Sequence, residues 1–141
     1  MAPVLELQAA IFDDGSHEGD VRAVAEIAAR RIGSEIQHQR TVPLVEAILA
    51  DAQSEDAAKV ERIRSYVAQL AETPDTEEVE RVRSQFPTLS GQAVELARRW
   101  LGFGLNGEKQ WLERGLKEFQ QSRAGPRSQT LAQWWSIQRT R

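Results

Sequence analysis

Residues 20–36 read Asp-Val-Arg-Ala-Val-Ala-Glu-Ile-Ala-Ala-Arg-Arg-Ile-Gly-Ser-Glu-Ile. Val21, Ala25, Ala28, Ile32 and Ile36 recur at spacings of three and four, which puts them on one side of an α-helix. Asp20, immediately before the stripe, suits an N-cap, because its carboxylate can accept a free N–H of the first turn. Ala23 stands where a capping box needs Glu or Gln, so the box is absent. Gly33 weakens the middle of the helix slightly.

The same period continues downstream. Pro43 lacks an N–H and clashes with the carbonyl of residue 39 inside a helix, so a kink or break is expected near Thr41. Thr41 then caps a second helix with Leu44, Val45, Ile48, Leu49 and Ala52 apolar. Ser54 opens a third, with Ala57, Val60, Ile63, Val67 and Leu70 on its inner face; the last four fit an a/d seam that packs at a shallow angle. Thr73-Pro74 starts a fourth, with Pro at its first position, where the missing N–H costs nothing. Val79, Val82 and Phe86 face inward there, acids line its first turn, and Pro87 stops it. Ser90 opens a fifth with Ala93, Leu96, Ala97, Trp100 and Leu101. Gly102, Gly104 and Gly107 are expected to break it, and a sixth follows with Trp111, Leu112, Leu116 and Phe119. Glu26/Arg30, Glu77/Arg81, Glu95/Arg99 and Glu113/Lys117 stand four apart in the favourable order, which supports the helical phase independently.

On the N-terminal side the period changes to two. Leu5, Leu7, Ala9 and Ile11 alternate with Glu6 and Gln8, the mark of a half-buried strand. Asp13-Asp14-Gly15-Ser16 supplies turn chemistry. No second strand is legible in the chain, and a lone strand leaves a row of N–H and C=O groups unpaired. Three solutions remain: pairing in a homo-oligomer, an extended arm on the helices, or membership of a β-domain that precedes this segment. The last is favoured. The stretch from Ala9 to Asp20 also resembles a segment of acidobacterial-type bacterial proteins. In those, an apolar-Phe-x-Asp-Gly stretch closes a small β-domain and a helical C-terminal region follows. The resemblance covers roughly twelve residues. It implies the helical C-terminal portion of a larger protein, exported if a signal peptide lies upstream. It carries no activity and no functional residue.

Bulk properties narrow the class. A chain of 141 residues suits one domain. Net charge is −3, which argues against a nucleic-acid-binding class. Without cysteine there is no disulfide, thiolate metal site or thiol nucleophile. No apolar run approaches the roughly 20 residues that span a bilayer, and residues 1–20 lack the pattern of a signal peptide.

Chemistry-bearing motifs are sparse. The acidic Gly-containing stretch 13–20 departs from the EF-hand pattern and reads as a turn plus helix cap. His17 and His38 have no metal-ligand spacing. Gly102-x-Gly104-x-x-Gly107 follows no strand, so it fails the context of a dinucleotide fingerprint. No catalytic residue, metal ligand or cofactor is expected. Two candidate sites remain. Trp134 and Trp135, flanked by Arg127 and Arg139, form a candidate interaction surface, because adjacent tryptophans on a helix cannot face one core line together; the alternative is that this segment folds back onto the bundle. Trp100, Phe103 and Trp111 form a candidate pocket.

The expected architecture is all-α: a bundle of about five or six helices preceded by one extended N-terminal segment. Residues 1–19 form the strand and turn, 20–125 the helical domain, and 126–141 an Arg- and Trp-containing tail or short helix. The functional expectation is a non-catalytic structural or interaction module. Its partner is an upstream domain of the same chain or another protein. A small-ligand-binding or catalytic domain is the alternative.

Overall fold

The computed structural model describes residues 9–11, 16–122 and 129–139. Among the described residues are β1 (Ala9–Ile11), β2 (His17–Gly19), α1 (Val21–Leu49), α2 (Asp56–Gln69), α3 (Thr76–Gln85), α4 (Gly91–Ser122) and α5 (Leu131–Arg139). The fold is therefore all-α with one small hairpin. No described helix is long and apolar enough to cross a membrane. The chain divides into two compact units, one drawn from Met1–Ile36 and Ala71–Asn106, the other from Gln37–Leu70 and Gly107–Arg141. Each unit has its own core, and α1 and α4 contribute residues to both.

In the first unit β1 does have a partner. Ala9, Ala10 and Ile11 pair antiparallel with Gly19, Glu18 and His17. Sequence reasoning missed β2 because His-Glu-Gly offers no alternating apolar face; only its backbone is recruited. Ala9 and Ile11 rest against the core. Gly19 takes φ 104°, a left-handed value that glycine adopts freely, as the hairpin turns into α1. Asp20 then caps the helix as expected, its carboxylate accepting the Ala23 N–H at 3.2 Å.

The first core joins Val24, Ala25, Ala28, Ala29 and Ile32 of α1 to Val79, Val82 and Phe86 at α3, and to Val94, Ala97 and Leu101 of α4. Small residues on α1 let α4 approach closely. At Gly33 an added Cβ would overlap the Leu101 carbonyl and lie 3.1 Å from the Leu105 nitrogen. At Gly104 it would overlap the Arg30 carbonyl and lie 2.8 Å from the Ser34 nitrogen. This contact corrects the expected break at residues 102–107. Those glycines cost α4 some helix propensity, but Gly104 admits a neighbouring backbone, and α4 runs unbroken to Ser122. Helix α3 starts two residues later than the Thr73-Pro74 reading. Asp75 is its N-cap, with Glu78 completing a capping box.

The second unit shows the same override of local propensity. α1 continues through Pro43 without a break. The Thr41 hydroxyl donates back to the Gln37 carbonyl at 2.7 Å instead of capping a new helix. Val45 and Ile48 beyond the proline are buried with Val60, Ile63 and Val67 of α2 and Leu112, Leu116 and Phe119 of α4. That packing outweighs a penalty of about 3 kcal/mol for an interior proline. Buried Lys109 donates to the carbonyls of Ala68 and Leu70, at 3.4 and 3.1 Å, where α2 ends. A cation there meets the negative end of the helix dipole.

The glycines of α4 provide an internal control. Gly104→Ala should destabilise the protein by about 3 kcal/mol or more, because backbone rather than a movable side chain blocks the methyl. Gly107, which has nothing within 4 Å, should gain about 0.5–1 kcal/mol on substitution by alanine. Urea unfolding of both variants checks this, and effects of equal size and sign would refute the close-approach account.

Candidate functional site

The two sites expected from sequence are redistributed. Trp100 packs partly buried on the first core, and its ring meets Phe103 edge-on at 5.5 Å. Phe103 is 49% exposed. Trp111 packs on the second core. The trio is thus shared between two units, and the cavities described below are lined by other residues. Trp134 and Trp135 are each only 4% exposed, so the indoles are core and not surface. Arg127 lies outside the described residues, as do Asp13 and Asp14 of the acidic stretch. Arg139 is exposed and paired with Glu46. His17 sits against Phe86 with ring centroids 6.0 Å apart, and His38 Nδ1 lies 2.8 Å from Glu108 Oε1.

Both tryptophans can be buried because α5 meets two walls. Neighbouring positions on a helix point about 100° apart, at 3.6 residues per turn. On one side Trp134 stacks beside Phe119 of α4 at 5.9 Å. Gly115 makes the room: a Cβ there would come within 2.8 Å of the Trp134 ring. On the other side Trp135 shares a groove wall with Leu49 of α1. A nine-residue helix has little stability by itself, and its start is secured twice. Thr130 and Gln133 form reciprocal cap bonds of 3.2 and 2.9 Å. The Asp56 carboxylate of α2 accepts the Leu131 N–H at 2.9 Å.

Between α1 and α5 runs a groove of about 650 Å³. Leu49, Ala50, Ala132 and Trp135 give it an apolar bed; Glu46, Arg139 and Ser136 supply polar groups. The α1 wall is anchored at its end, where Lys59 donates to the Leu49 carbonyl at 3.2 Å. Just beyond, Asp51 accepts the Gln53 N–H at 3.0 Å, the Ser54 hydroxyl at 2.7 Å and Arg62 at 3.0 Å. The groove thus has fixed walls, one ion pair and an indole, which suits binding. Trp135 Nε1 is buried and makes no hydrogen bond among the described residues.

No family model, curated protein or solved structure matches the chain.

The geometry of this site therefore stands by itself. Ala132, Trp135, Ser136 and Arg139 recur at helical spacing on α5, a face readable from sequence. That the end of α1 would supply the opposite wall was not readable, because no helical period names the neighbour of a helix. Among the described residues no group of three or more His, Asp or Glu is placed to hold a metal ion.

Asp51 gives a pH test of the anchored wall. Hydrogen bonds from Ser54, then Gln53, and the Arg62 cation hold its carboxyl below the ordinary value of 3.8. An acid so depressed contributes stability above its unfolded pKa, and that contribution is lost as pH falls through the lower folded value. Asp51→Asn should therefore be less stable than the parent at about pH 7, with the difference shrinking below about pH 4. Urea midpoints across that range measure it; a difference that grows on acidification would contradict the assignment.

Proposed function

We propose that this chain is a non-catalytic helical interaction module and that its α1–α5 groove receives a segment of a protein partner. The observation carrying this reading is the groove itself, whose apolar bed of Leu49, Ala50, Ala132 and Trp135 is flanked by the Glu46–Arg139 ion pair. A partner segment laid along the apolar bed would remove that surface from water. Glu46 and Arg139, exposed at the rim, offer both signs of charge to flanking residues.

The interior of the second unit supports a surface role. Among Thr41, Leu44, Val45, Ile48, Ile63, Tyr66, Val67 and Leu70 only about 10 Å³ of space remains. That is no more than a single water requires. Small-ligand binding within the bundle near Trp100, Phe103 and Trp111 finds less support, since those aromatics divide between two cores.

The test places a photo-crosslinking residue at Ala132 or Ser136, which line the groove, and at exposed Gln133 as a control. In cells that make the protein naturally, both groove positions should trap the same species. Gln133 should not, and Ala50→Glu should abolish the adduct while leaving the helical circular dichroism intact. Equal labelling from Gln133, or none from the groove, would overturn the proposal. An adduct of twice the chain's mass would assign the groove to self-association.

A further inference from the structure

A second cavity lies in the first unit, beneath the hairpin. It measures about 210 Å³ and is lined by Ile11 and His17 of the hairpin's last rung, by one face of α1 and by the end of α3. Its floor is apolar: Val24, Ala28, Ile32 and Phe86 are all core residues. Its rim is polar and carries Arg31, Glu35, Arg81, Gln85 and His17. A cavity of about 150 Å³ already accommodates a benzene ring when its walls are apolar, so this one has room for a short hydrocarbon group.

The rim specifies what that group should carry. Arg81 reaches Glu35 at 3.8 Å, a loose pair between exposed side chains. Arg31, one turn away from Glu35 on α1, makes no ion pair among the described residues. Among the described residues the rim thus carries two guanidinium groups against one carboxylate. A guanidinium binds a carboxylate through parallel N–H···O bonds that a neutral group cannot match. A second negative charge on the ligand would face Glu35. We infer that the groove beneath the hairpin binds small monocarboxylates with a short aliphatic or aromatic tail, the tail on the Val24–Ile32–Phe86 floor and the carboxylate on Arg31. The site is independent of the α1–α5 groove, because every residue it uses belongs to the first unit.

Titration of the full chain with hexanoate, followed by ¹H–¹⁵N correlation spectra, tests the inference. Saturable shifts should appear at Ile11, His17, Ile32 and Phe86. Hexanol, which keeps the tail and loses the charge, should bind about tenfold more weakly or worse, and so should hexanoate to Arg31→Gln. Arg83→Gln serves as the control; Arg83 pairs with Glu80 at 3.3 Å and does not line the cavity. Arg31 is exposed, so its replacement leaves the fold intact. Absence of saturable shifts would overturn the inference. So would equal binding of hexanol and hexanoate, or an equal loss from Arg31→Gln and Arg83→Gln.

Discussion

The approach of α1 to α4 at Gly33 and Gly104 sets the spacing on which the first core depends. Two helices separated by ordinary side chains pack with their axes 8–10 Å apart. Here each glycine accepts the backbone of the opposite helix, so the alanines at 25, 28 and 29 can fill the remaining space. A larger residue at either glycine would push the helices apart and open voids around Leu101 and Val94. The gaps would cost more than the propensity the glycines forfeit, since lost contact scales with cavity volume. Both helices then continue as walls of the second core.

That trade explains where the sequence was legible. The stripes of α2 and α3 report most of the burial: Val60, Ile63 and Val67, then Val79 and Val82, are buried as their spacing required, whereas Ala57 at the start of α2 is exposed. The cap at Asp20 was equally plain. Pro43 and the glycines of α4 misled, because propensity counts a residue's cost to its own helix and says nothing about what the neighbour gains. Strand β2 was invisible for the opposite reason: it contributes backbone, and its side chains carry no pattern. Asp75 with Glu78 three residues later is a capping box in the sequence itself, next to the equally lawful start at Thr73-Pro74.

The candidate groove was half legible. Its α5 face could be drawn from Ala132, Trp135, Ser136 and Arg139. Adjacent tryptophans leave one exposed only where their helix has a single packing surface. In the structure α5 lies against α4 through Trp134 and against α1 through Trp135, so two directions are buried at once. No helical period encodes the number of neighbours a helix has. Of the two readings of this segment, an exposed indole surface or a tail folded back on the bundle, the burial of both tryptophans matches the second.

The contribution of α5 to the second core bears on how the chain is made. Leu131, Trp134 and Trp135 complete that core, and α5 begins on a carboxylate from α2. A ribosome delivers residues in order, and the first core is fully supplied once residue 106 has emerged. The second must wait until residues 131–139 are free, with Val60, Ile63 and Phe119 uncovered in the interval. The two cores thus mature at different moments of synthesis, the first once residue 106 is out and the second only once α5 has followed.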